Sequence, residues 1–132
     1  MELILPDTNA WVAYFAGREP VAGMITQAIR KQKIVVSVIV AAEFFIKATP
    51  RQKRRFELMI DTFGVEDITW PVAREAIKMR QTALVKSKRV YLLDCLIAAT
   101  AKLKSAAILT LDKRDFVPTG VEVIEVRPHQ VN

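Results

Sequence analysis

Short apolar runs alternate along the chain with longer stretches in which apolar residues recur at helical spacing. The short runs predict strands at residues 3–5, 34–36, 65–68, 107–109 and 121–126. The longer stretches predict helices at about residues 10–16, 20–29, 38–48, 50–63, 69–86 and 94–104. This order predicts an α/β fold, a three-layer sandwich in which a mostly parallel central sheet of about five strands is covered by helices on both faces.

Capping residues set several of these boundaries. Ser37 and Thr49 can accept hydrogen bonds from the first free N–H groups of the helices that follow them. Gly17 and Gly64 are natural helix ends, because glycine adopts the left-handed conformation without strain. Gly23 lies inside a predicted helix, which it weakens by about 1 kcal/mol relative to alanine.

The length and composition indicate one domain over residues 1–132, with a short flexible tail from about residue 127. The chain has 132 residues, of which 52% are hydrophobic and 26% charged, enough apolar side chain for a core. The apolar run at residues 34–42 is far shorter than the roughly 20 residues of a membrane helix, and no secretory signal is visible. One cysteine, Cys95, and one histidine, His129, disfavour disulfides, zinc cages and histidine-based triads. We expect a cytoplasmic protein that does not enter membranes.

Basic residues outnumber acidic ones and give a net charge of +6. They cluster at residues 30–33, 51–55, 86–89 and 113–114. Such a surface attracts polyanions through field steering and counterion release, although lysine and arginine are also common at solvated helix ends. The charge is therefore compatible with a nucleic acid partner and with a merely solvated surface.

Four acidic residues follow predicted strands or open a predicted helix, in positions where an α/β sheet binds ligands. They are Asp7, Glu43, Asp94 and Asp112. Asp7, Asp94 and Asp112 could instead serve only as caps. Glu43 interrupts an apolar helix, where burying an unpaired carboxylate would be costly, and its alternative role is an ion pair with Lys47 four residues later.

Several carboxylates held close together repel one another and raise each other's pKa values. A divalent cation removes that repulsion, and oxygen ligands suit Mg²⁺ or Mn²⁺ better than zinc. Such a cation can activate a water while it binds a phosphate oxygen, and the basic surface can hold the backbone. The pattern therefore predicts phosphodiester hydrolysis, and the absence of a glycine-rich phosphate loop disfavours nucleoside triphosphate chemistry.

Four segments, in this order and spacing, resemble the PIN-domain family. They are LPDTN at residues 5–9, SVIVAAEF at 37–44, LDCLIAATA at 93–101 and LTLDKRDF at 109–116. More narrowly, the chain resembles the VapC-like ribonuclease toxins of type II toxin–antitoxin systems, from about residue 3 to residue 126. The expected fold is therefore PIN-like.

The resemblance implies roles for individual side chains, both catalytic and metal-binding. The most constant acids of the family correspond to Asp7, Glu43 and Asp94, with Asp112 as the fourth. The residues implied to orient carboxylates or water are Thr8, Asn9 and Thr110. Asp115 is implied to give support or to act as a cap.

The resemblance also implies Mg²⁺- or Mn²⁺-dependent endoribonuclease activity, with RNA as substrate, a small cognate antitoxin as inhibitor and a homodimer as the assembly. Next to the acids, the basic residues expected to bind RNA are Lys113 and Arg114. Those expected on the RNA backbone elsewhere are Arg51, Lys53, Arg54 and Arg55. Two other functions stay open: a housekeeping RNA-processing nuclease without an antitoxin, and a catalytically weak module that binds RNA or protein.

The run Phe44-Phe45-Ile46 presents apolar side chains on more than one side of its helix. It predicts a groove or dimer contact formed together with the helix that contains Phe56. The alternative is burial of the whole run in the chain's own core.

Overall fold

The computed structural model describes residues 2–127, which contain three strands and six α-helices. In chain order these elements are β1 (Leu3–Pro6), α1 (Thr8–Phe15), α2 (Val21–Arg30), α3 (Val38–Lys47), α4 (Pro50–Phe63), α5 (Trp70–Val85), α6 (Leu92–Leu103), β2 (Ala106–Thr110) and β3 (Val123–Glu125). Two single-turn 3₁₀ helices, Lys113–Asp115 and Val117–Thr119, lie between β2 and β3. Apart from Arg127, the tail predicted from about residue 127 lies outside the described residues.

The strands form one parallel sheet in the order β1-β2-β3. Beyond β1, extended chain adds two single parallel bridges, Ile4 with Ile34 and Ser37 with Glu66. The α/β prediction is confirmed, but two of the five predicted strands are reduced to these bridges within residues 2–127. The physical reason is local: Ser37 caps α3 and so ends the extended segment that begins at Ile34.

Helices flank the sheet, as predicted. α2 packs against β1, α6 packs against β2, and α5 packs against α6. Every residue of β2 is buried, and α6 buries the small residues Ala98, Ala99 and Ala101, which let a helix lie close to its neighbours. Between residues 2 and 127, no helix is both long enough and apolar enough to cross a membrane.

Side-chain caps fix the starts of several helices. The predicted caps Ser37 and Thr49 are confirmed, and Gln52 completes a capping box by accepting from the Thr49 N–H (2.9 Å). Two helices begin two residues before their predicted starts, α1 at Thr8 and α6 at Leu92. Asp94 therefore lies inside the first turn of α6, and its predicted alternative role as a cap is wrong.

Aromatic side chains join α1, α3 and α4. The rings of Phe44 and Phe56 stack with their centroids 4.8 Å apart, and Trp11 meets Phe56 edge-on at 5.0 Å. Phe45 is half-buried, also edge-on to Phe56, while Ile46 is 79% exposed. The apolar run on α3 is thus partly covered by its own chain and partly free, and the predicted groove or dimer contact stays a prediction.

Candidate active site

The carboxyl ends of β1 and β2 bring together two segments that are far apart in the sequence. Because the strands are parallel and Pro6 pairs with Leu109, Asp7 and Thr110 leave the sheet side by side. The Asp7 N–H donates to the Leu109 carbonyl (3.0 Å), and the Thr110 hydroxyl donates to Asp7 Oδ2. This edge of an α/β sheet is where ligands bind in such folds.

Asp7 is a buried acid, only 7% exposed. Its Oδ1 accepts from the Ala10 N–H (2.9 Å), so the capping role considered from the sequence is real. The pKa of Asp7 is raised to about 6, chiefly by burial; the hydrogen bonds from Thr110 and Ala10 oppose the shift, and the charges of Asp115 and Glu43 add to it. Capping engages one oxygen only, which leaves the other at the sheet edge with Thr110.

Asp94 brings a second acid to the same place from the first turn of α6. It is half-buried. Its pKa is raised to about 6, first by burial and then by the charges of Asp115, Glu43 and Asp7. Asp7, Glu43, Asp94 and Asp115 thus lie near enough for their charges to act on the two buried or half-buried acids, and we call these four side chains the carboxylate cluster.

Glu43 belongs to this cluster but is exposed, so the cost of burying an unpaired carboxylate in an apolar helix does not arise. The buried residues of α3 are Val40, Ala41 and Phe44, and the helical period leaves Glu43 outside that face. Its Oε1 accepts from the Thr8 hydroxyl (3.0 Å), and no ion pair with Lys47 forms in the described part of the chain. Thr8 thus donates a hydroxyl hydrogen bond to the Glu43 carboxylate, as Thr110 does to that of Asp7.

Asp112 lies close in sequence to the cluster but its charge is already neutralised. Arg114 Nε is 2.9 Å from both Asp112 oxygens, and the Arg114 backbone N–H donates to Oδ1 (3.0 Å). The pKa of Asp112 is lowered to about 2, chiefly by the side-chain hydrogen bonds from Arg114. Asp112 caps the first 3₁₀ turn, which was its alternative role in the sequence analysis. Its charge is not among the causes of the raised pKa values of Asp7 and Asp94.

Asp115, three residues later, is the fourth member of the carboxylate cluster. It ends the 3₁₀ turn that Asp112 begins, and its charge is the largest of those that raise the pKa of Asp94. Sequence reasoning gave Asp115 only a supporting or capping role. A usable signal was present: a turn of three residues per repeat places position 115 above position 112, so the motif offers two carboxylates at one end of β2.

The cluster offers only oxygen donors, which suit Mg²⁺ or Mn²⁺. Within residues 2–127, no three His, Cys, Asp or Glu side chains lie close enough together to enclose a metal ion as they stand. Burial is the main cause of the raised pKa values of Asp7 and Asp94, and the neighbouring acidic charges add to it. A bound divalent cation would relieve both effects, because it favours the ionised carboxylates. The chemistry of the donors therefore fits a hard cation, although their separation does not form a closed cage.

The basic residues predicted to bind RNA fall into two groups. Beside the acids, Arg114 is bound to Asp112, and Lys113 is exposed and donates its backbone N–H to Glu125 (2.9 Å). On the first turns of α4, four exposed cations have no ion pair among residues 2–127: Arg51, Lys53, Arg54 and Arg55. The larger group of cations without an ion pair is therefore on α4.

Comparison with known proteins decides the family. The model of the PIN domain family matches residues 4–119, most of the chain. The chain belongs to the PIN-domain family. The PIN-like fold expected from its sequence motifs is thereby confirmed.

Individual relatives include a ribonuclease and a chain of a toxin–antitoxin complex. Ribonuclease VapC10 of Mycobacterium tuberculosis is 26% identical over 114 residues, which is 86% of each chain. A chain of a toxin–antitoxin complex from Klebsiella pneumoniae is 26% identical, with a TM-score of 0.69 over 97% of this chain and 99% of that one. A chain of DNA-bound VapBC from Salmonella typhimurium shares the fold at 20% identity, with a TM-score of 0.78 over 95% of this chain and 98% of that one. The predicted resemblance to VapC-like ribonucleases is confirmed.

Proposed function

We propose that this PIN domain is a cytoplasmic, metal-dependent endoribonuclease that hydrolyses RNA phosphodiester bonds and acts as the toxin of a toxin–antitoxin pair. The observation that carries the proposal is the carboxylate cluster at the ends of β1 and β2, in which Asp7 and Asp94 have raised pKa values. Similarity to Ribonuclease VapC10 and to the Klebsiella toxin–antitoxin complex supports the choice of RNA as substrate and of an antitoxin as partner.

Asp7, Glu43 and Asp94 would hold Mg²⁺ or Mn²⁺. The fourth carboxylate would be Asp115, which belongs to the cluster, or Asp112, which the sequence motif suggests. When bound, the metal supplies a Lewis acid and lowers the pKa of an attacking water. Metal binding would require Asp7 and Asp94 to be ionised, and so would compete with protons near pH 6.

The neutral side chains of the site would keep the carboxylates in place. Thr110 donates to Asp7 and Thr8 donates to Glu43, which fixes one oxygen of each acid. Asn9 follows them on the first turn of α1 and is exposed beside Glu43. These groups carry no charge, so they orient the acids without neutralising the negative potential that attracts a cation.

RNA would be held by cations outside the cluster. Lys113 is exposed next to the acids, and the α4 group of Arg51, Lys53, Arg54 and Arg55 forms no ion pair within residues 2–127. Arg114 would act mainly by holding Asp112, to which it is bound. Binding through several phosphates would weaken steeply with salt.

The partners we propose are a small antitoxin and a second copy of the chain. Large apolar side chains stay exposed on several helices, among them Ile46 (79%), Leu58 (66%) and Trp70 (64%). Contiguous exposed apolar surface marks interaction sites, and we propose that these side chains contribute to such a surface. Sedimentation of the purified chain, alone and with the product of an adjacent small reading frame, measures both associations.

Cleavage of a mixed RNA pool in Mg²⁺ and in Mn²⁺ tests the activity. The parent is expected to cleave only with metal, and Asp7→Asn and Glu43→Gln are expected to lose cleavage while they stay folded. Asp61→Asn is the matched control, because Asp61 is an exposed acid on α4 outside the cluster. Cleavage that persists in Asp7→Asn and Glu43→Gln, or that needs no metal, contradicts the proposal.

Two other functions remain as alternatives. A housekeeping nuclease would cleave RNA with metal but would have no adjacent antitoxin gene and no inhibitor. A binding module would bind RNA or protein and would show no cleavage with the correct target. The four acids of the cluster favour a nuclease over a binding module, because their mutual repulsion has no evident benefit unless a cation binds.

A further inference from the structure

A cavity of about 380 Å³ lies directly beside Glu43, between α1, α3 and the start of α4. Thr8 and Glu43 line it, and they are also part of the proposed catalytic site. A ligand in this cavity would therefore sit next to the carboxylate cluster. The volume is within the range of sites that hold small organic groups.

The walls of the cavity combine one apolar surface with two amides. Val12 of α1 lines it and is 51% exposed, although α1 is otherwise well packed. Asn9 lies one turn earlier on the same helix, and Gln52 faces the cavity from the first turn of α4. Gln52 is held in place because its Oε1 accepts from the Thr49 N–H (2.9 Å), which leaves its NH₂ group as a fixed donor.

Three cations at or beside the cavity, which the acidic Glu43 also lines, offer binding positions for the phosphates of an anionic chain. Lys47 lines the cavity and has no ion pair among residues 2–127. Arg51 and Lys53, on either side of Gln52, are exposed and likewise unpaired in the described range. A sugar–phosphate backbone that binds these cations would pass the mouth of the cavity before it reaches the carboxylate cluster.

We infer that the cavity receives one nucleobase of the RNA, next to the scissile phosphate, and that the amides of Gln52 and Asn9 select which base enters. The inference rests on the proposed function. Proteins read single-stranded RNA by taking unstacked bases into such sites and bonding to their edges. An apolar wall for the ring and amide groups for its edge are the two elements that such a site requires.

Nucleotide binding tests the inference without cleavage. The probes are AMP, CMP, GMP and UMP, with ribose 5-phosphate as the control that lacks a base, and the readout is the NMR signals of the Val12 methyls and the Gln52 side-chain amide. We expect one nucleotide to shift both signals and to bind at least about 5-fold more tightly than another, as one selective hydrogen bond allows. Ribose 5-phosphate is expected to leave them unchanged.

A matched variant isolates the donor of Gln52. Gln52→Glu keeps an acceptor for the Thr49 N–H, and glutamate is also a natural residue of the capping box, so the helix start is retained. The variant replaces the NH₂ donor by an acceptor and is expected to change the ranking of the four nucleotides. Gln81→Glu, an exposed residue of α5 that does not line the cavity, makes the same charge change and is expected to keep the ranking.

In the binding experiments, three results would overturn the inference: no shift with any nucleotide at millimolar concentration, equal shifts with ribose 5-phosphate, or an unchanged ranking in folded Gln52→Glu. If the antitoxin shifts the same signals and no nucleotide does, the cavity is a protein-binding surface and the inference is again overturned. Sequencing of cleavage products separates this failure from that of the proposed function. Cleavage with no base preference at the cut site refutes only base selection by the cavity. Selective nucleotide binding without any RNA cleavage refutes only the proposed nuclease activity.

Discussion

Thr110 at the end of β2 donates its hydroxyl to Asp7 at the end of β1, and this contact joins two residues 103 positions apart. The same hydroxyl oxygen accepts from the Asp112 N–H (3.1 Å) and lies 3.1 Å from the Asp112 carbonyl oxygen, but its shorter contact is with the charged Asp7 carboxylate, the stronger acceptor. Thr110 is fully buried. It therefore stabilises the ionised form of an acid that burial would otherwise keep protonated.

Removing that donor is expected to impair the site. In Thr110→Val, the ionised Asp7 loses a hydrogen bond to a charged group, worth about 1.5–3 kcal/mol, and the pKa of Asp7 rises further above its present value of about 6. RNA cleavage at pH 7 should fall by at least about 10-fold and should partly recover at higher pH. Thr110→Ser keeps the hydroxyl and should stay close to the parent; an equal loss in both variants would contradict the role.

The raised pKa of Asp7 makes the metal-free protein less stable at neutral pH. Its pKa is about 6 when folded and 3.8 when unfolded, so the unfolded state holds fewer protons between these values. Protonated Asp7 makes its full contribution to the free energy of unfolding below pH 3.8. This contribution, about 3 kcal/mol, is lost as the pH rises through 6.

Asp7→Asn should therefore stabilise the metal-free chain. Asparagine can still cap α1 and carries no charge to desolvate. At pH 7.5 the free energy of unfolding should rise by about 1–3 kcal/mol, with the gain shrinking toward pH 4.5. Denaturant unfolding with a chelator at both pH values measures this, with Asp61→Asn as control. A variant that is less stable than the parent at both pH values would show that burial of the charge is not the dominant effect.

Substitutions of Asp112 and Asp115 should differ in their effects on metal binding. Asp115 shares the negative potential of the cluster, whereas Asp112 is neutralised by Arg114. We predict that Asp115→Asn weakens Mn²⁺ binding at least about 10-fold, in keeping with loss of a ligand or its supporting partner. Asp112→Asn should weaken it less and should mainly loosen the 3₁₀ turn. Calorimetric titration of both variants decides the question, and a larger loss in Asp112→Asn would return the fourth position to the residue that the motif suggests.

Much of this arrangement could be predicted because it depends on local patterns. Ser37 and Thr49 are capping residues followed by apolar helical stripes, and both cap as expected. Asp7 follows an apolar strand, and in a parallel sheet the residue after a strand lies at the edge where ligands bind. Local chemistry and the rule for strand ends were sufficient in these cases.

The remainder depends on side-chain pairings that spacing does not determine. Arg114 pairs with Asp112 and is therefore not free to bind an RNA phosphate. This pairing follows from the short 3₁₀ turn, in which Asp112 is the cap and lies in contact with the residue two positions later. Glu43 is surrounded by apolar residues in the sequence, yet helix geometry turns it outward. Sequence neighbours of a helical residue are mostly on other faces, so the apolar residues around Glu43 in the sequence do not determine its burial.

A glycine inside α2 gives a test of stability away from the site. Gly23 has ordinary helical geometry, and a Cβ there would meet only the end of the flexible Glu19 side chain, at 2.7 Å from its Oε2. Gly23→Ala should therefore raise the free energy of unfolding by about 0.5–1 kcal/mol. Gly64→Ala should lower it, because Gly64 ends α4 with φ of +79°. Chemical denaturation of both variants measures the difference; a destabilised Gly23→Ala would mean that the Glu19 carboxylate cannot move aside.

Binding of Mn²⁺ to the purified chain, measured by calorimetry at pH 7.5, tests the central claim most directly. Parent and Asp61→Asn proteins should bind alike, whereas Asp7→Asn and Asp94→Asn should each bind at least about 10-fold more weakly. The same titration at pH 5 should weaken binding to the parent, since protons then occupy Asp7 and Asp94. Binding by the parent that is unchanged in both cluster variants, or no binding by the parent at all, would contradict a metal site at the carboxylate cluster.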